Sequence, residues 1–67
     1  MITKEEAKQF LGKYCVIVYQ DVHSEGWNSG IITEVSDSGI FLTRRGLDIF
    51  ITLRSIIKIK EKNIHGY

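Results

Sequence analysis

The sequence of 67 residues holds no proline, one cysteine and one tryptophan. It has no internal repeat and no low-complexity segment, so nothing in it marks a linker or a repeat array. The single cysteine, Cys15, excludes an intramolecular disulfide. His23 and His65 stand far apart and lack zinc-site spacing, so no metal is expected. No apolar run approaches the roughly 20 residues of a membrane span. With no signal-peptide pattern either, an intracellular, cytoplasmic protein with no membrane partner is expected. Hydrophobic content of 43% argues against disorder.

A chain this short is one domain, 1–67, and buries only ~60% of its unfolded surface. Small scaffolds with so little core lean on disulfides, metals or oligomerisation, and here oligomerisation is the support left.

What the sequence does have is concentrated in Gly30 to Lys60, GIITEVSDSGIFLTRRGLDIFITLRSIIKIK. Apolar, β-branched runs alternate there with turn signals. Ahead of them, Thr3 to Leu11 reads as a helix: Thr3 as N-cap and Glu6 three residues on form a capping box, with Ile2 and Ala7 at the staple positions. Gly12 stands where a C-cap glycine belongs. So short a helix needs docking, expected through Phe10 and Leu11.

Tyr14–Gln20 reads as the first strand, with Cys15, Ile17 and Tyr19 facing inward and Val16 and Val18 outward. Asp21 to Ser29 reads as a polar loop carrying Trp27, either folded back to cap the core or presented as an anchor or stacking platform. Gly30–Val35 is the second strand, with Ile31, Thr33 and Val35 on one face. Ser36-Asp37-Ser38-Gly39 is a turn, its glycine expected at positive φ. Ile40–Thr43, Leu47–Leu53 and Ile56–Lys60 follow, separated by Arg44-Arg45-Gly46 and by Arg54-Ser55, with Ile57 and Ile59 on the inward face of the last strand. Glu61 to Tyr67 is expected to be a partly mobile tail. The fold class is therefore mostly β: a short helix, then a five-stranded, strongly bent, closed or nearly closed barrel over residues 14–60.

No catalytic motif is present. The phosphate-binding glycine loop and the Gly-x-Ser-x-Gly elbow are missing. Cys15 and His23 do not make a convincing nucleophile and base, because a cysteine in an apolar strand is normally inert. A non-enzymatic protein with no cofactor is expected.

Charge is uneven although the net is +1. Residues 1–40 carry three lysines against six acids; residues 41–67 carry six cations against two acids. That asymmetry makes either a basic face or ordinary solvated strand edges. Arg44, Arg45, Arg54, Lys58 and Lys60, with Tyr14 and Trp27 as stackers (Tyr19 is a further aromatic), are the candidates for single-stranded nucleic-acid binding, which needs cations for phosphates and aromatic faces for bases. Val16, Val18, Phe41, Phe50 and Ile56 oppose the inward sets of their strands and exceed what the helix can cover, so they are candidates for an oligomer interface, with the fourth strand of one copy pairing with the fifth of the next in a ring.

The segment FLGKYCVIVYQD resembles the opening of Sm-like proteins, in which a short helix ends at Gly-Lys and an alternating strand follows. Gly12-Lys13 matches the glycine-lysine, Cys15, Ile17 and Tyr19 match the inward strand positions, Gly30-Ile31 looks like the start of the bent second strand, and Phe50-Ile51, Ile56 and Ile59 are spaced like the last two strands. The resemblance spans Thr3 to Lys60 and implies an SH3-like barrel, a homo-oligomer and single-stranded RNA as partner. The chain departs from the family at its pocket. Asp37-Ser38-Gly39-Ile40 has the aspartate but no asparagine, Thr52-Leu53 stands where Arg-Gly would fall, and the Lys-His of the bacterial Hfq branch is missing. The alternative is a non-catalytic interaction or structural module of a larger assembly, binding another protein through Trp27 and a sheet edge.

Overall fold

The computed structural model describes residues 2–23 and 25–62. One short helix, α1 (Lys4–Lys8), precedes five strands: β1 (Tyr14–Gln20), β2 (Glu25–Val35), β3 (Gly39–Arg44), β4 (Leu47–Thr52) and β5 (Ile56–Glu61). All pairings are antiparallel, in the order β4-β3-β2-β1-β5.

The helix starts as its sequence dictates. Thr3 Oγ1 accepts from the Glu6 N–H at 3.1 Å, and Glu6 Oε1 accepts from the Thr3 N–H at 3.0 Å. The Thr3 N–H, and with it the Thr3 hydroxyl donating to Oε1 at 3.1 Å, hold the Glu6 carboxyl below its ordinary pKa. The helix is shorter than expected. After Lys8 the chain tightens into i→i+3 bonds, Phe10 to Ala7 and Lys13 to Phe10, and leaves through Gly12 at φ +80°. Docking runs through fully buried Ala7 and half-buried Ile2 and Phe10, whereas Leu11, expected to dock, is exposed. Backbone bonds from Gly12 to Ile32 and from Ile32 to Lys13 tie the helix exit to β2.

The expected closed or nearly closed barrel is instead an open sheet: β4 and β5 lie at opposite ends of the strand order. The sheet must nevertheless curl. Four inter-strand steps of a flat sheet would separate its edges by about 19 Å. A single 310 turn, Leu53–Ser55, carries the chain from β4 to β5, and three residues at about 2 Å each cannot bridge that gap.

Two β-bulges decide which residues are inside. Directly paired residues share a face of the sheet. In β2, Ile32 pairs with Leu42 and Glu34 with Phe41, so Thr33 is an extra residue. Ile32 therefore enters the core, Val35 packs against it, and Ile31 and Thr33 face solvent, which corrects the expectation that Ile31, Thr33 and Val35 share one face. In β5, Val18 pairs with Lys58 and Tyr19 with Ile56, leaving Ile57 as the extra residue. Ile56 turns inward and is 3% exposed, while Ile57, expected inside, is 53% exposed. The core comprises Ala7, Cys15, Ile17, Ile32, Ile40, Leu42, Ile51 and Ile56.

The turns carry two further corrections. Gly39 is not at positive φ. Its lack of a side chain leaves room for the Phe50 ring, whose Cζ would lie 2.7 Å from an added Cβ, and for the Ile51 carbonyl. The turn itself is held by Ser36, whose Oγ accepts from the N–H groups of Ser38 and Gly39. In the β3–β4 hairpin, Arg44 pairs with Leu47 across Arg45-Gly46, at φ +53° and +80°. Both signs suit the type I′ turn that matches strand twist. Of the expected tail, Glu61 ends β5 and the Lys62 N–H bonds to Tyr14; residues 63–67 lie outside the described residues.

Candidate nucleic-acid interface

The first change to the expected site is at Trp27. Residues Glu25–Ser29, read as loop, are strand, paired along β1 from Gln20 to Val16. Trp27 therefore does not fold back over the core: it stands on the sheet opposite Val18, 64% exposed. Lys58 faces Val18 from the other side. Three strands thus place Trp27, Val18 and Lys58 in one row on the outer face. The next row is Ser29, Val16 and Lys60. The third is Ile31 and Tyr14, with Lys62 bonded through its backbone to Tyr14.

This outer face has a definite character. Val16 and Val18 are half-buried down its middle, Trp27 flanks them on β2, and a ladder of lysines flanks them on edge strand β5. A groove of about 380 Å3 runs between the valines and Lys58, Lys60 and Lys62, with Glu61 at its side. Of the described lysines, Lys13 is ion-paired to Glu61 at 3.5 Å and Lys4 to Asp37 at 3.3 Å; Lys58, Lys60 and Lys62 have no such partner among the described residues.

At the far end of this face Tyr14 meets the β3–β4 hairpin. Ser29 Oγ accepts from Tyr14 Oη at 3.3 Å and from Arg44 Nη1 at 3.4 Å. A groove of about 380 Å3 is lined by Tyr14, Ile31, Thr43, Arg44 and Arg45. Thr43 Oγ1 donates to Asp48 Oδ1 at 2.8 Å across the hairpin.

The structure thus brings Trp27, Tyr14, Lys58, Lys60, Arg44 and Arg45 onto or beside one face and leaves Arg54 out. Arg54 lies in the 310 turn, beside Asp37, Ser38, Thr52 and Leu53 in a broad depression of about 860 Å3. That depression is at the start of β3, and Arg44 is at its end. The three arginines therefore do not form a single surface. Lys62 and Ser29 belong to the face although sequence reasoning passed over them. The i, i+2, i+4 spacing of Lys58, Lys60 and Lys62 was the available signal; Ser29 gave none, because its segment looked like a loop.

The candidate interface residues also separate. Val16 and Val18 are half-buried on the outer face, and Phe41 and Phe50 pair on β3 and β4 with ring centroids 4.9 Å apart. Ile56 is withdrawn from any surface by the bulge at Ile57. Cys15 is fully buried in the core, and burial pushes its thiol pKa up. His23 lies in the β1–β2 connection, where its backbone N–H donates to Asp21 Oδ1 at 2.8 Å. Among the described residues no helix is long and apolar enough to cross a membrane.

No protein-family model matches the chain, and no curated protein or solved structure matches it significantly.

Proposed function

We propose that this chain is a small SH3-like, Sm-like β-module that associates with itself and binds single-stranded RNA across the outer face of β2, β1 and β5. The observation that carries the reading is the cross-strand row Trp27–Val18–Lys58. It sets an exposed indole, an apolar floor and an ammonium side by side, and the lysine ladder repeats the cation at Lys60 and Lys62. Bases need a π-face and phosphates need cations; a strand laid along β1 would find both at once. From Trp27 to Ile31 the platform measures about 13 Å, long enough for a short single-stranded segment. Self-association is supported by the outer edges of β4 and β5 at the two ends of the sheet, which pair with no other strand among the described residues.

Fluorescence anisotropy of labelled U-rich and A-rich RNA octamers, titrated at several salt concentrations, tests the reading. Affinity should fall as salt rises, by about 0.7 in the log–log slope for each phosphate contacted. Replacing Lys58, Lys60 and Lys62 together by Gln should flatten that slope by about 2. Trp27→Ala should cost about 1–3 kcal/mol of binding. A parent protein that binds neither RNA at low salt refutes the proposal.

The other reading, a protein-interaction module, draws on exposed Leu47 at the start of edge strand β4. An extended peptide adding to that edge would gain main-chain bonds and this apolar contact.

A further inference from the structure

The hairpin groove differs in kind from the lysine ladder. Its cations are guanidiniums, whose planar forks match phosphate oxygens in a way that ammonium groups do not. Neither Arg44 nor Arg45 is ion-paired with a carboxylate among the described residues, and Asp48, the acid beside them, is bonded to Thr43 instead. Arg44 is tethered to Ser29, which is 6% exposed and also receives the Tyr14 hydroxyl. One guanidinium nitrogen is thereby held in place while its other N–H groups remain to bind. Tyr14, Thr43, Arg44 and Arg45 line this groove of about 380 Å3 together with Ile31, with Tyr14 as its one aromatic wall and Ser29 bracing Tyr14 and Arg44.

Arg45 supplies a second, independent observation. It occupies the first central position of a type I′ turn, at φ +53°, where Asn, Asp and Gly are favoured and other residues carry a conformational cost. Such an outlier points to a use for the side chain beyond the turn. The groove also lies where the outer face ends against the hairpin tip, so a strand running along β1 from Trp27 terminates there.

We propose that the groove lined by Tyr14, Arg44 and Arg45, with Ser29 bracing the first two, binds the terminal phosphomonoester of the RNA strand, so that the protein prefers phosphorylated ends. This rests on the RNA reading above and adds the chemistry of the strand's end. A phosphomonoester carries more charge than an internal diester and offers three acceptor oxygens, which the two arginine forks can share.

The test compares uridine hexanucleotides bearing a 5′-phosphate, a 3′-phosphate or hydroxyls at both ends, titrated against the full chain. One phosphorylated end should bind about tenfold or more tighter than the hydroxyl form. Which end wins gives the direction of the strand. The Arg44→Gln, Arg45→Asn double variant should weaken the phosphorylated oligomer about tenfold more than the hydroxyl oligomer, and so abolish that difference. Asn suits the turn, so Arg45→Asn alone should keep or raise the thermal midpoint while lowering the preference; a preference untouched by it removes Arg45 from the site. Equal binding of all three oligomers overturns the terminal-phosphate site alone. Binding of none overturns the RNA reading with it.

Discussion

The adjacent isoleucines Ile56 and Ile57 offer a sharp test of the packing. Same residue type, same strand, neighbouring positions: only the bulge distinguishes them. Ile56 is 3% exposed beneath β1, and Ile57 is 53% exposed near Ile2 and Phe10. Deleting one methylene from a buried isoleucine costs about 0.5–1.5 kcal/mol, and truncation to alanine about 2–5. A domain of this size holds only about 3–10 kcal/mol in total. Ile56→Ala is therefore expected to remove a large share of the stability, and Ile56→Val is the graded variant to measure. With a urea m-value of about 1 kcal/mol/M for so small a protein, Ile56→Val should lower the midpoint by about 0.5–1.5 M. Ile57→Val, at a half-exposed site, should stay within about 0.5 kcal/mol. The assay is equilibrium urea unfolding followed by far-ultraviolet circular dichroism, with all curves fitted to a common m. Equal losses at the two positions, or a larger loss at Ile57, would mean that β5 runs in plain alternation and that the bulge is wrong.

Three other outcomes follow from the same structure. Thr3→Ala should lower stability by about 0.5–2 kcal/mol in denaturation at neutral pH. Glu6 has a depressed folded pKa, so its contribution is present above the ordinary value of 4.5 and disappears as pH falls through the folded value; the gap between parent and variant should narrow in acid without closing, because the cap bond from the Glu6 N–H to Thr3 Oγ1 does not titrate, and a constant gap would show that the Thr3 hydroxyl does not act on the carboxylate. Gly39→Ala places a methyl 2.7 Å from Phe50 Cζ and against the Ile51 carbonyl, and should cost about 1–3 kcal/mol in the same assay; a neutral result would show that the Phe50 ring is not seated there. Cys15 has a thiol pKa raised by burial and by nearby Glu61, so its contribution is whole at neutral pH and declines as pH rises past the ordinary value of 9.0; iodoacetamide at pH 8 should label it in urea and spare it in buffer, and fast labelling of the folded chain would contradict its burial.

The parts legible in the sequence are those set by local chemistry. Thr3 and Glu6 announce the helix start, Arg45-Gly46 lies between two alternating runs, and Cys15 and Ile17 stand inward because β1 keeps strict alternation through them. The parts that escaped are those where one residue is inserted. Period-two reading cannot be right on both sides of a bulge: across Thr33 and Ile57 it suits Val35 and Ile59, which lie beyond the bulges, and fails for Ile31, Thr33, Ile56 and Ile57. Trp27 was misplaced for another reason. Glu25–Ser29 has weak strand propensity, and only its ladder to β1 makes it a strand, a tertiary effect that overrides composition. Trp27 was legible as a candidate stacking residue, but the row it forms with Val18 and Lys58 depends on that ladder and was hidden along with it.

The lysine ladder on β5 also restricts how copies of this chain can meet. Two β5 edges approaching each other would set Lys58, Lys60 and Lys62 of one copy against the same ammonium groups of the other, and like charges directly opposed are unfavourable. The β4 edge carries no cation from Leu47 to Thr52 and presents Asp48. In the self-association proposed above, charge would therefore favour β4 of one copy against β5 of the next, a head-to-tail contact. Such a contact leaves one free edge at each end of any open chain of copies, so growth stops only when the turn from copy to copy brings the last edge back to the first.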